Sequence, residues 1–102
     1  MYRVRVPDLS KFKKFEWDKG NIEKSYKKHG ISPEESEELF LDESVLLQED
    51  IKHIQTEGRY IAIGKSSQKR ILFAIFTIRG EKIRIISVRI AKKKERRRYA
   101  ET

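Results

Sequence analysis

The chain has 102 residues, room for one small domain, and its 37% hydrophobic and 39% charged composition confines the core to a few strongly apolar segments. It contains no cysteine, which removes disulfides, thiolate nucleophiles and cysteine-bearing zinc sites and fits a reducing cytoplasm. The net charge of +8 is uneven: five bases and one acid in residues 1–14, four and eleven in 15–50, fifteen and four in 51–102. Cations at that density call for a polyanion or an acidic protein as partner. No apolar run approaches the roughly 18 residues of a membrane span, and the N-terminus lacks the apolar centre of a signal peptide.

Residues 1–14 read as a basic N-terminal extension, in which Pro7 disfavours regular structure, and residues 15–102 as a single domain. Alternation from Phe12 to Trp17 predicts a short strand. Asp18 reads as the N-cap of a helix from about Lys19 to His29, with Ile22, Tyr26 and His29 on one stripe and Gly30 ending it. Ser32, Pro33 and Glu35 form a capping box that starts a second helix, with Leu39 and Phe40 inward and Glu34, Glu35, Glu37 and Glu38 outward. These two form an αα-hairpin that needs a sheet to lie on.

Four apolar runs follow, at Val45–Leu47, Tyr60–Gly64, Ile71–Ile78 and Ile83–Ile90, separated by loops and a tight turn at Arg79–Gly80–Glu81. Neighbours joined in this way pair antiparallel. The run ILFAIFTI is apolar on both faces and belongs at the centre of the sheet. The basic KKKERRRYA segment reads as a terminal helix touching the core through Ala91 and Tyr99 at most. The class is α+β: an antiparallel sheet of four to five strands, the hairpin on one face and a C-terminal basic helix.

One strand carries a phase change. In IRIISVR, Ile83 and Ile85 share one face while Ile86, Val88 and Ile90 share the other. A bulge near Ile85–Ile86 would bring both apolar runs to one side and turn Arg84 and Arg89 together to the opposite one.

Read together, FEWDKGNIEKSYKKHGISPEE, FLD, the His-x-x-x-Glu-x-Arg stretch HIQTEGR, and IRIISVR with its basic tail resemble the BrnT family of toxins over residues 15–99. The chain departs from the family pattern at Pro33, Ser36 and Val88. The resemblance implies a RelE-like fold and a ribonuclease toxin of a type II toxin–antitoxin pair. It also implies neutralisation by a ribbon-helix-helix antitoxin, BrnA, and operator DNA bound through the joint complex. A charged surface without a broad apolar face is expected to leave the toxin monomeric when alone.

Cleavage of RNA by 2′-hydroxyl attack needs a proton acceptor, a proton donor for the leaving 5′-oxygen, and cations on the phosphorane. It needs no metal, and no cofactor is expected. His53 and Glu57 match the family's His-x-x-x-Glu-x-Arg pattern, and each is either a loop residue or part of the acid–base machinery. Arg59, Arg84 and Arg89 are the candidate transition-state cations. Arg79, Ser87, Lys92 and Arg96 are the candidate substrate contacts. Four acids cannot locally pair fifteen bases, which favours an anionic ligand for at least two of the arginines. Trp17 and Phe73 are read as core residues, His29 as a helix cap, and Tyr60 and Tyr99 as the exposed aromatics. A non-catalytic RNA- or DNA-binding module is the competing reading.

Overall fold

The computed structural model describes residues 14–17, 19–50 and 58–101. The expectations for residues 1–13, Asp18, His53 and Glu57 lie outside these, as does the side chain of Ile22. The elements in chain order are β1 (Lys14–Trp17), α1 (Lys19–His29), α2 (Pro33–Glu38), a 3-10 turn (Leu39–Leu41), β2 (Leu46–Glu49), β3 (Tyr60–Lys65), β4 (Ile71–Arg79), β5 (Lys82–Ile90) and α3 (Lys93–Ala100). Lys14, assigned to the N-terminal extension, is thus the first residue of β1.

The strands form one sheet in the order β1-β5-β4-β3-β2. The apolar β4 takes the central place expected of it. Strands β2 to β5 pair antiparallel, as their short connections dictate. β1 differs: it joins the edge of β5 in parallel, making the sheet mixed rather than wholly antiparallel. More than sixty residues separate the two strands, and a crossover of that length permits parallel pairing. α1 ends at Gly30, whose φ of 65° suits a residue without Cβ.

Register assigns each residue to a face. One face carries Phe15, Trp17, Ala62, Leu72, Ala74, Phe76, Ile83, Ile85 and Val88, and the 3-10 turn packs on it. Ile31, Leu39 and Phe40 complete this core, and the Phe40 ring meets Phe76 edge-on at 5.1 Å and Phe15 at 5.6 Å. Gly64 is required here: a Cβ would stand 2.4 Å from the Leu39 carbonyl oxygen. Trp17 is half-buried against the core, as expected.

Two expectations are corrected. Glu35 is not outward but 3% exposed. The Ser32 half of the capping box forms, its Oγ accepting from the Glu35 N–H at 3.1 Å. The Glu35 carboxylate instead turns inward to a chelating Arg70 and accepts the Ser66 hydroxyl at 2.7 Å. An acid at that position can be buried only because a guanidinium and a hydroxyl meet it. Arg70 also donates to the Gly30 carbonyl at 3.0 Å, so one side chain ties the α1–α2 junction to the β3–β4 turn.

Tyr60 and Tyr99 are half-buried rather than exposed. Tyr60 packs against Phe76 at 5.5 Å, and Tyr99 gives its hydroxyl to Asp42. Tyr26, at 59% exposure, is the open aromatic among the described residues.

Candidate functional site

The second face of the sheet is built by β3, β4 and β5 from Ile61, Ile63, Phe73, Ile75, Thr77, Arg84, Ser87 and Arg89. Its arginines share that face because β5 contains an extra residue. Ile75 opposes Ser87 and Phe76 opposes Ile85, so Ile86 has no partner of its own and the register slips there. The bulge occurs where the two apolar runs of IRIISVR change phase. It lets Ile83, Ile85 and Val88 all enter the core while Arg84, Ser87 and Arg89 stand opposite Thr77, Ile75 and Phe73.

Arg84 lies beside Glu16 of β1, its paired residue in register, with Nη1 3.2 Å from the carboxylate. Next to it in register is Thr77, 2% exposed, whose hydroxyl donates to the Gly58 carbonyl at 2.6 Å. Arg59 follows Gly58 directly, is half-buried, and has no side-chain partner among the described residues. Its carbonyl accepts the Asp50 N–H at 2.8 Å. The described end of the HIQTEGR motif is therefore held at the Arg84 end of this face.

Arg89 occupies the other end. Its guanidinium stacks over the Phe73 ring at 4.0 Å and chelates Glu95 of α3 at 2.7 and 2.8 Å, while Nη1 also reaches the Ile90 carbonyl at 3.2 Å. Of the five N–H donors on a guanidinium, Nε–H and one on Nη2 remain. The Arg89 pair holds Glu95 below the usual carboxylate range. Glu95 also accepts the Lys92 N–H at 2.7 Å, so one carboxylate joins the start of α3 to the sheet. At the far end of α3, Tyr99 donates to Asp42 at 2.5 Å, and Asp42 also accepts the N–H groups of Lys65 and Ser44. Burial and the Asp42 carboxylate push the Tyr99 hydroxyl up to about 12. Burial alone would raise Asp42, but these three hydrogen bonds outweigh it and lower it.

The remaining expected contacts are spread around this face. Ser87 is half-buried between the two arginines in register. Arg79 is exposed at the β4–β5 turn. Lys92 and Arg96 are exposed on and before α3, with Arg96 giving one N–H to the Ala91 carbonyl at 2.7 Å. The structure thus brings Arg59, Thr77 and Arg84 to one end of the face, and Arg89, Glu95, Lys92 and Arg96 to the other. Among the described residues, no group of three or more His, Cys, Asp or Glu side chains is arranged to hold a metal.

Sequence reasoning passed over Glu16, Glu95 and Thr77. Glu95 was visible as a lone acid three residues after Lys92, and Thr77 as the one polar residue within ILFAIFTI. Glu16 carried no such signal, since only the parallel pairing of β1 with β5 puts it beside Arg84.

A family model described as the ribonuclease toxin BrnT of type II toxin–antitoxin systems matches residues 17–95. Among solved structures, the chain is similar to the crystal structure of the Brucella abortus ribonuclease toxin BrnT, with 24% identity and a TM-score of 0.58 over 78% of this chain and 97% of that one. At that identity the likeness establishes the fold. No curated protein matches the chain.

Proposed function

The chain belongs to the BrnT family, ribonuclease toxins of type II toxin–antitoxin systems, and on that footing we propose that it cuts RNA without a metal on the second face of its sheet. The observation that carries this reading is the bulge at Ile86, which gathers Arg84, Ser87 and Arg89 on one side of β5. In such a reaction a base removes the 2′-hydroxyl proton, the 2′-oxygen bonds to phosphorus, and the bond to the 5′-oxygen breaks as an acid protonates that oxygen. His53 and Glu57 are assigned the proton transfers. Arg84 and Arg59 stabilise the phosphorane, and Arg89 contributes its two remaining donors. Arg79, Ser87, Lys92 and Arg96 contact flanking phosphates.

In this reading the inhibitor is a BrnA-like ribbon-helix-helix antitoxin. The two together occupy operator DNA and repress their own operon, and the toxin alone is a monomer. Residues 51–102 carry the largest surplus of cations, which would attract an acidic or amphipathic antitoxin segment.

The test is cleavage by purified, partner-free protein in EDTA, with and without ribosomes. RNA fragments ending in a 2′,3′-cyclic phosphate are expected. Intact RNA that nonetheless co-elutes with folded protein would replace the enzyme with a binding module.

A further inference from the structure

We propose that Thr77 is a positioning residue for this active site, resting on the ribonuclease reading of the second sheet face. Thr77 is the one polar residue within ILFAIFTI, the apolar run of the central strand, and it is 2% exposed. Its side chain stands in register with Arg84 and donates a 2.6 Å hydrogen bond to the Gly58 carbonyl.

That bond joins two parts of the site that the chain leaves far apart. Arg84 is fixed by β5, one strand over. Gly58 and Arg59 close a connection between β2 and β3 and precede the first residue of β3. Among the described residues their backbone is held by Thr77 on the Gly58 carbonyl and by the Asp50 N–H on the Arg59 carbonyl at 2.8 Å. A Cβ at Gly58 would crowd the Tyr60 hydroxyl at 3.1 Å. The hydroxyl of Thr77 therefore sets how closely the end of the His-x-x-x-Glu-x-Arg motif approaches Arg84. It touches no substrate. It acts by aligning Arg59 with a cation on a different strand.

A displacement of about 1 Å between reacting groups costs on the order of 10²-fold in rate. Thr77→Val keeps the shape and removes the donor. We expect kcat on a defined RNA to fall by roughly 10- to 100-fold with KM within a factor of about two, and Thr77→Ser to restore most of the loss. If the valine variant does not fold, Thr77→Ala and Thr77→Ser carry the same comparison, each checked by melting temperature. Equal kcat in the wild type and in folded variants lacking the hydroxyl would overturn the proposal. So would a loss that Thr77→Ser does not repair, or one confined to KM. An inactive wild type would instead overturn the ribonuclease reading itself, which keeps the two failures distinct.

Discussion

Arg84 and Arg89 lie five residues apart in β5 yet oppose Thr77 and Phe73, four apart in β4, so both guanidinium groups rise from one face of the sheet. In a regular strand an odd separation places two side chains on opposite faces. The extra residue, Ile86, converts five positions into four. Their surroundings then divide them. Arg84 lies beside the Glu16 carboxylate of a neighbouring strand, whereas Arg89 is stacked and chelated at the root of α3.

Removing either arginine should separate chemistry from architecture. Arg84→Ala is expected to lower turnover by roughly 10²–10³-fold, the loss that follows removal of a transition-state donor, in a chain that still folds by circular dichroism. A variant retaining wild-type turnover would remove Arg84 from the chemistry. Arg89→Ala should in addition loosen α3.

The attachment of α3 is itself testable. None of its residues is buried, and apart from the Arg96 bond to the Ala91 carbonyl at its own root, its described side-chain ties to the rest of the domain run through Glu95 and Tyr99. The double variant Glu95→Ala/Tyr99→Phe should therefore expose Lys92–Arg98 to trypsin much faster than wild type, while the sheet stays intact by circular dichroism. Unchanged digestion would show that packing, not these two contacts, holds the helix.

Glu35→Ala leaves Arg70 without its carboxylate at the α1–α2 junction. Deleting a carboxylate that accepts charged hydrogen bonds costs about 2 kcal/mol, and with roughly 4–8 °C per kcal/mol for a domain of this size the melting temperature should drop by about 8 °C or more. A smaller drop, within a few degrees, would mean that Arg70 finds water at little cost.

Stability should fall at both ends of the pH scale, for opposite reasons. Glu35 and Glu95 are held below 4.5 by Arg70 and Arg89, and Asp42 lies below 3.8. Their folded values are depressed, so their contribution is present above the ordinary carboxylate range and is lost as pH falls below it. Tyr99 moves the other way. Its value rises from 10.0 to about 12, so the protonated form is favoured by folding, and its contribution is complete below pH 10.0 and is lost as pH climbs to about 12. Melting curves of wild type and Tyr99→Phe between pH 9 and 12 check this, since the phenylalanine variant should lack the tyrosine part of the alkaline loss.

Lys69 closes the β3–β4 turn with φ of 63°, a region that costs a side-chain-bearing residue about 1 kcal/mol. Lys69→Gly relieves that strain against the greater freedom of glycine in the unfolded chain, for a net gain of about 0.5 kcal/mol, whereas Lys69→Ala should give none. Equal melting temperatures for the two variants would refute it.

Local chemistry was readable wherever neighbours in the chain decided the outcome. The start of α2 at Ser32–Pro33, the end of α1 at Gly30, the central place of ILFAIFTI and the phase change in IRIISVR all follow from periods and caps of a few residues. Such signals depend on steric preferences and hydrogen bonds that close within one or two turns, so they survive in the sequence. Pairings over long separations are not encoded that way. Glu35 reads as one more acid on a solvated helix until Arg70, thirty-five residues later, is folded against it. Glu16 reaches Arg84 only because β1 lies parallel to β5, and Thr77 meets Gly58 only because β3 pairs with β4. In each case a buried or half-buried polar group is tolerated because a distant partner satisfies it. Which partner that is depends on the packing of the whole chain, not on any stretch of it.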